Sequence, residues 1–442
     1  MTVAAPPVRR GFSASNAPDP AVMQACVHCG MCLNECPTYR VIRLEMDSPR
    51  GRIQLIKGVN DGHIALDSQV FLAHTFRCLD CRGCETACPS GVKYGRLIEA
   101  VRDQTARAGL LPRRRRIASW VLRHVFTRRT RLRRVGQALR LYQRLGVQAF
   151  IRRLRILAWV WPALAQVEAM APAMSRRFLD AGDLRFVPAV GPARYRVAFV
   201  TGCIMSLAFA EVHRASLRVL ARRGCDIEIP EHQQCCGALH IHGGDRASAQ
   251  DLARRNIDAF EGGGYDAILT NSAGCGSALK EYGQLLAGDP AYAERAHRFA
   301  AKVQDLSEFL AACESGHALG ELRRTVVYQD ACHLAHGQGI TRQPRDLLRA
   351  IPGLTLVEMR NPAVCCGSAG LYSVTDTATS LQVLDEKLDA LEGVEADTVV
   401  SANPGCLLHL RLGVKRRGLK LRVVHLAELL DEAYAAARAD GG

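Results

Sequence analysis

The chain has no apolar run long enough to span a bilayer, and its first twenty residues (MTVAAPPVRRGFSASNAPDP) lack the apolar core of a secretory leader. It has no G-x-G-x-x-G that follows a strand and opens a helix, and no P-loop. Gly262-Gly263-Gly264 precedes an apolar strand instead, as a turn does. These absences leave no recognisable flavin or nicotinamide site, so hydride chemistry is expected on a partner. Between Gln104 and Val167 there is neither a lysine nor an acidic residue. Sixteen arginines stand in that interval, against a net charge of +15 for all 442 residues, so the positive excess belongs to one segment.

What the chain does have is cysteine, eighteen of them. Without a leader, and at this length, they point to a reduced compartment and to metal or redox use rather than a disulfide scaffold. Cys26, Cys29, Cys32 and Cys36 are spaced C-x2-C-x2-C-x3-C with Pro37 behind, and Cys78, Cys81, Cys84 and Cys88 repeat the spacing before Pro89. That is the bacterial pattern for two [4Fe–4S] clusters, in which the fourth cysteine of each run commonly serves the other cluster. Crossed ligation groups Cys26, Cys29, Cys32 and Cys88 on one cluster, and Cys78, Cys81, Cys84 and Cys36 on the other. Three thiolates on one tight loop reach three irons, and the fourth must come from elsewhere.

A second pattern begins near residue 192. Cys203, Cys235-Cys236-Gly237 and Cys275 recur as Cys332, Cys365-Cys366-Gly367 and Cys406, with offsets of 129, 130 and 131 residues. A near-constant offset is the mark of an internal duplication. Val197–Val200 and Val326–Tyr328 read as buried strands leading to the first cysteine of each copy, and 268–270 and 399–401 as strands leading to the last. Helical patterns over 246–261 and 380–391 alternate with them, which predicts two α/β lobes with parallel sheets and cysteines at the carboxyl rim, where such sheets bind ligands. The glycine after each Cys-Cys pair permits the sharp turn that lets both side chains face one site. Two chemistries fit: four thiolates per lobe holding an iron–sulfur cluster, or paired thiols cycling through a disulfide. Cys225 and Cys313 have no counterpart and read as structural.

The expected organisation is therefore a multidomain α+β chain. It comprises a mobile tail (1–20), a small, mostly helical two-cluster ferredoxin-like domain (21–103), a basic helical connector (104–190), and two cysteine-rich lobes (191–319 and 320–442).

Cys26-Val27-His28-Cys29-Gly30, Cys36-Pro37-Thr38-Tyr39, Pro49-Arg50-Gly51-Arg52-Ile53, Cys88-Pro89-Ser90-Gly91-Val92, Lys280-Glu281-Tyr282-Gly283-Gln284 and Cys365-Cys366-Gly367-Ser368-Ala369-Gly370 together resemble the iron–sulfur subunit family of glycolate oxidase. More distantly the chain is similar to lactate-utilisation proteins, a glycerol-3-phosphate dehydrogenase subunit and heterodisulfide reductases. The resemblance implies an electron-transfer subunit with two [4Fe–4S] clusters and no flavin of its own. An FAD-containing subunit would oxidise glycolate to glyoxylate, and an acceptor such as quinone would take the electrons. Lactate or glycerol 3-phosphate as substrate, or thiol–disulfide reduction at the Cys-Cys-Gly sites, are the alternatives it carries. The heterodisulfide reductases place a fifth cysteine three residues after the last of each repeat; here Ala278 and His409 stand there. His409 there reads as a substitute nitrogen ligand or as a satisfied polar residue, and His28 beside Cys29 as a tuning partner.

For the arginine segment, 107–161, like charges at i,i+4 repel, so a plain solvated face is a poor account. Docking onto an acidic partner or an anionic membrane surface is expected, with Trp120, Trp159 and Trp161 among the arginines; nucleic acid is not. The protein is expected in the cytoplasm, peripheral on the inner face of the membrane.

Overall fold

The computed structural model describes residues 11–439, leaving aside 155, 161–164, 166, 167, 181, 315 and 316. Trp161 and the first half of the expected tail lie outside the described residues. Residues 11–20 are not a free tail. Gln104 accepts from the Ser13 backbone (3.0 Å) and donates to the carbonyls of Ser13 and Ser15, while Asn16 donates to Asp103 at 2.8 Å. Phe12 lies against Phe71. The composition of this stretch is that of a tail, but its polar atoms find fixed partners on one helix.

That helix, Tyr94–Arg107, closes the first module, which is built of short helices including Pro37–Ile42, Pro49–Asn60 and Gln69–Phe76. Pro37 and Pro49 occupy first-turn positions, where a missing N–H leaves nothing unpaired, and Ser48 caps the second helix by accepting from Gly51 N at 3.0 Å. Ile53, Ile56, Val59, Phe71, Leu97, Ile98 and Val101 form a core between them.

The basic segment forms helices Arg113–Val121, Arg129–Arg144, Val147–Arg153 and Ile156–Val160. Its apolar residues divide. Leu132 is buried, and Gly136 lets the helix approach Leu207 and Phe178 closely, since a Cβ there would meet Leu207 at 3.0 Å. Ile117, Trp120, Val135, Leu141, Phe150 and Trp159 stay exposed. No helix among the described residues is long and apolar enough to cross a membrane.

Two sheets follow. The first runs β1 (Phe186–Val187), β3 (Cys225–Glu228), β2 (Tyr195–Phe199), β4 (Ala267–Thr270), β5 (Val303–Asp305), all parallel except for the antiparallel edge strand β1. The second runs β7 (Leu354–Val357), β6 (Arg324–Tyr328), β8 (Thr398–Ser401), β9 (Arg422–His425), all parallel. Apart from β1, the spatial order is the same in both lobes. Strands β4 and β8 are buried at every position, as expected of strands covered on both faces. One core, from Leu179 and Val197 through Val326 to Tyr434, is shared between the lobes. The seam between them is hydrogen-bonded: Ala273 N donates to Ala402 O, and His425 Nε2 lies 2.9 Å from Asn271 O.

Candidate iron–sulfur and thiol sites

In the first lobe β2 lies between β3 and β4, and in the second β6 lies between β7 and β8, with all three strands parallel in each case. The loops leaving their carboxyl ends therefore emerge side by side, and each carries cysteine. In the first lobe Cys203 Sγ lies 3.5 Å from Cys235 Sγ, and both share one buried cluster with Cys236, against which Cys275 packs. In the second, Cys332 packs against the buried cluster that holds Cys365, and its neighbour Cys366 shares another with Cys406. All four thiols of each repeat thus meet at one rim. Gly237 (φ +84°) and Gly367 (φ +88°) turn the backbone out of both Cys-Cys pairs. A Cβ on Gly367 would stand 2.5 Å from Ser380 O.

Donors and charges frame these rims. Asn256 donates to Cys235 O and Tyr282 Oη to Cys236 O in the first lobe. In the second, Lys387 donates to the carbonyls of Asn361 and Pro362, and burial presses its ammonium down to about 8. It is held next to Cys366 and Cys365, whose thiolates favour its charge. Its signal in the sequence is a lysine amid Val383, Leu384 and Leu388 on a buried helix face. Sharing of protons between neighbouring buried thiols pulls Cys235, Cys275 and Cys366 below the ordinary thiol range and pushes Cys203, Cys236, Cys365 and Cys406 above it. His409 is a satisfied polar residue: its Nδ1 lies 2.8 Å from Cys366 O and its Nε2 3.3 Å from Ser380 Oγ. Cys225 is fully buried at the start of β3, and Cys313 is half-buried after the helix Leu306–Ala312.

The N-terminal module presents its eight cysteines unequally. Cys78, Cys81 and Cys84 are buried and line one cavity together with Cys36, Arg52 and Tyr94. Cys26, Cys32 and Cys88 are half-buried against the same core, and Cys29 is exposed. Burial pushes the Cys84 and Cys78 thiols up, and Arg52 and Arg102 counter this at Cys78. Arg52 is wholly enclosed. It donates to His74 O (2.7 Å) and Thr38 Oγ1 (3.1 Å), pairs with buried Asp47 at 3.3 Å, and approaches Cys36 Sγ at 4.0 Å. Burying a charge is costly unless it is paired and bonded. Here the guanidinium stands where thiolates would accumulate negative charge. Tyr94 Oη, on the same cavity, has no hydrogen-bond partner among the described residues. An orphaned hydroxyl, a buried cation and four convergent thiols fit a thiolate-held iron–sulfur cluster, which accepts and releases single electrons.

The loop that carries Cys78, Cys81 and Cys84 is shaped by residues that single-sequence reasoning missed. Asp80 and Arg82 both adopt positive φ (58° and 63°). Arg102 donates to Cys78 O at 2.5 Å, His242 Nδ1 lies 3.0 Å from Asp80 Oδ2, and His333 Nε2 lies 2.9 Å from Asp80 O. Arg82 pairs with Glu99 and with Glu281. The loop is therefore gripped by both lobes at once. His28, in the other run, lies 2.7 Å from Gln54 and 4.0 Å from Cys26 Sγ.

The arginine segment is partly consumed inside the molecule. Arg129 and Arg133 pair with Asp180, Arg133 also with Asp183, Arg123 with Asp245 and Arg152 with Glu168. Local charge counting missed these partners because they lie beyond the segment or at its end.

Comparison with known proteins agrees with this layout. The family description "4Fe-4S dicluster domain" matches residues 22–92, "Glycolate oxidase iron-sulfur subunit, linker region" matches 113–171, and "Cysteine-rich domain" matches 197–280 and 326–411. The probable glycolate oxidase iron–sulfur subunit of Bacillus subtilis is 42% identical over 92% of this chain and 93% of its own. The glycolate oxidase iron–sulfur subunit of Escherichia coli is 34% identical over 88% of this chain and 90% of its own. Lactate utilization protein A of Bacillus cytotoxicus is 36% identical but covers only 53% of this chain, with 97% of its own length. With paired cysteine runs, a matched linker and two cysteine-rich lobes in the same order, the chain belongs to the family of glycolate oxidase iron–sulfur subunits, the electron-transfer subunits of an oxidoreductase complex.

Proposed function

We propose that this chain takes electrons from an FAD-containing partner that oxidises glycolate to glyoxylate, and delivers them singly to an acceptor such as quinone. The observation that carries the reading is the enclosed cavity where Cys36 joins Cys78, Cys81 and Cys84 beside Arg52. It favours crossed ligation, with Cys26, Cys29, Cys32 and Cys88 holding the second cluster. Arg52 offsets the negative charge of the thiolates, and Tyr94 Oη is placed to donate a hydrogen bond; both favour the reduced, more negative state. The four-thiol rims of the lobes favour a further cluster in each over an isolated redox disulfide. Lactate as the substrate is a second reading, supported by the relatives named lactate utilization protein A.

The linker is the surface for a peripheral position on the inner face of the membrane. Arg113, Arg114, Arg128, Arg134, Arg144 and Arg153 have no partner among the described residues, and they share the linker with exposed Trp120, Leu141, Phe150 and Trp159.

The test is anaerobic purification of the complex with iron and acid-labile sulfide assays. Cys84→Ser is expected to lose one cluster's iron and to abolish glycolate-dependent dye reduction, while glycolate still reduces the flavin. Full dye reduction by an iron-free chain overturns the reading, and turnover with lactate but not glycolate selects the second.

A further inference from the structure

The two lobes repeat one another in strand order, cysteine placement and turn glycine, but their thiol rims face different neighbours. In the C-terminal lobe Cys365 is buried in one cluster with Cys81 of the second N-terminal run, Leu79 and Tyr372, against which Cys332 and Ala369 pack. The backbone beside this contact is fixed as well: His333, next to Cys332, reaches Asp80 O at 2.9 Å, and His336 reaches Thr86 Oγ1 at 2.9 Å. In the N-terminal lobe, Cys203 and Cys235 instead face a cavity walled by the linker residues Phe126, Arg129, Leu132 and Arg133, together with Asp180. Among the described residues, that lobe's hydrogen bonds to the module run through Glu281 and His242.

We infer that Cys365 couples the C-terminal lobe's thiol site to the ferredoxin-like module, and that the equivalent site of the N-terminal lobe has no such coupling. This rests on the proposed electron-transfer function and adds an order to it. Cys332, Cys365, Cys366 and Cys406 form the next station after the group held by Cys36, Cys78, Cys81 and Cys84. Cys203, Cys235, Cys236 and Cys275 form a separate station under the linker. Each transfer moves one electron between the two sites across the cluster that packs Cys81 with Cys365; no bond is made or broken, and the flavoprotein supplies the electron.

The test compares full-length Cys365→Ser, Cys406→Ser and Cys235→Ser, each purified anaerobically and reduced with dithionite. Iron content and microwave-power saturation of the cluster signals in electron paramagnetic resonance are the readouts. Cys406→Ser disables the C-terminal rim without touching Cys81, so it serves if Cys365→Ser disturbs the fold. In the wild type, fast relaxation of the module's signal from a neighbouring paramagnetic centre is expected. It should fall several-fold in Cys365→Ser and Cys406→Ser and stay unchanged in Cys235→Ser. Retention in both C-terminal variants, or loss in Cys235→Ser, overturns the inference. Iron of about eight per chain, unchanged in all three variants, overturns it too, because the lobes then hold no cluster, yet it leaves the electron-transfer function standing. A wild type without any cubane signal overturns both.

Discussion

The two N-terminal cysteine runs share one spacing and have opposite surroundings. The first carries an exposed Cys29 and half-buried Cys26 and Cys32; the second is enclosed, its loop held by Arg102 from its own module, His242 and Glu281 from one lobe and His333 from the other. Spacing sets which irons a loop can reach, and tertiary packing sets what the loop faces. The outer run faces solvent and the inner run faces the lobes.

The sharpest way to break this contrast is at Arg52, which touches the one first-run cysteine that sits with the second run. Arg52→Met removes the one fully buried cation paired with Asp47, leaving Arg77 at 3.1 Å and the His74 ring at 2.9 Å, and is expected to cost about 3 kcal/mol, read from denaturant midpoints of the iron-free chain. Iron analysis should show loss of the inner cluster first; loss of the outer one instead would contradict crossed ligation.

Acid tests the lobes that enclose the inner run. Burial depresses His213 and His425 to about 4, and both meet Asn271 at the lobe seam. A depressed histidine binds fewer protons folded than unfolded, so its contribution is full above the unfolded value near 6.5 and is lost as pH falls toward 4. Each is expected to remove up to ~3 kcal/mol across that window. A stability profile flat from pH 7 to 4, measured by urea titration, would refute the assignment.

Alkylation of the iron-free chain under native conditions should modify Cys29 before any of Cys78, Cys81 and Cys84. The expected rate ratio is roughly tenfold or more, because buried thiols react only after local opening. Mass spectrometry of peptides gives the order directly. The smallest effect belongs to the linker: Arg114→Gln, Arg128→Gln and Arg134→Gln should each weaken binding to phosphatidylserine vesicles by about 1 kcal/mol. Unchanged cosedimentation of the triple variant would remove the membrane from the account.

Much of this architecture was legible in residue order. Buried strands before Cys203, Cys332, Cys275 and Cys406 were visible as apolar runs, and the φ of Gly237 and Gly367 follows from a glycine placed behind two ligand-type side chains. The contact of Cys81 with Cys365 was not legible, because nothing local relates residues so far apart in the chain. The same holds for Arg129 and Arg133, whose like-charged neighbours suggested an external acid while Asp180 and Asp183 stood folded back beneath them. Residues 11–20 misled in the other direction. Small and polar composition marks a tail only when no helix offers a Gln104 or an Asp103 to receive it.

The clasp of Arg129 and Arg133 on Asp180 has a consequence for biogenesis. The helix it fastens lies over Cys203 and Cys235, so an inorganic group bound for that lobe has to be installed before the helix settles, or while it is peeled away. Concentrated salt is expected to weaken the clasp and to speed the access of reagents to Cys203 and Cys235.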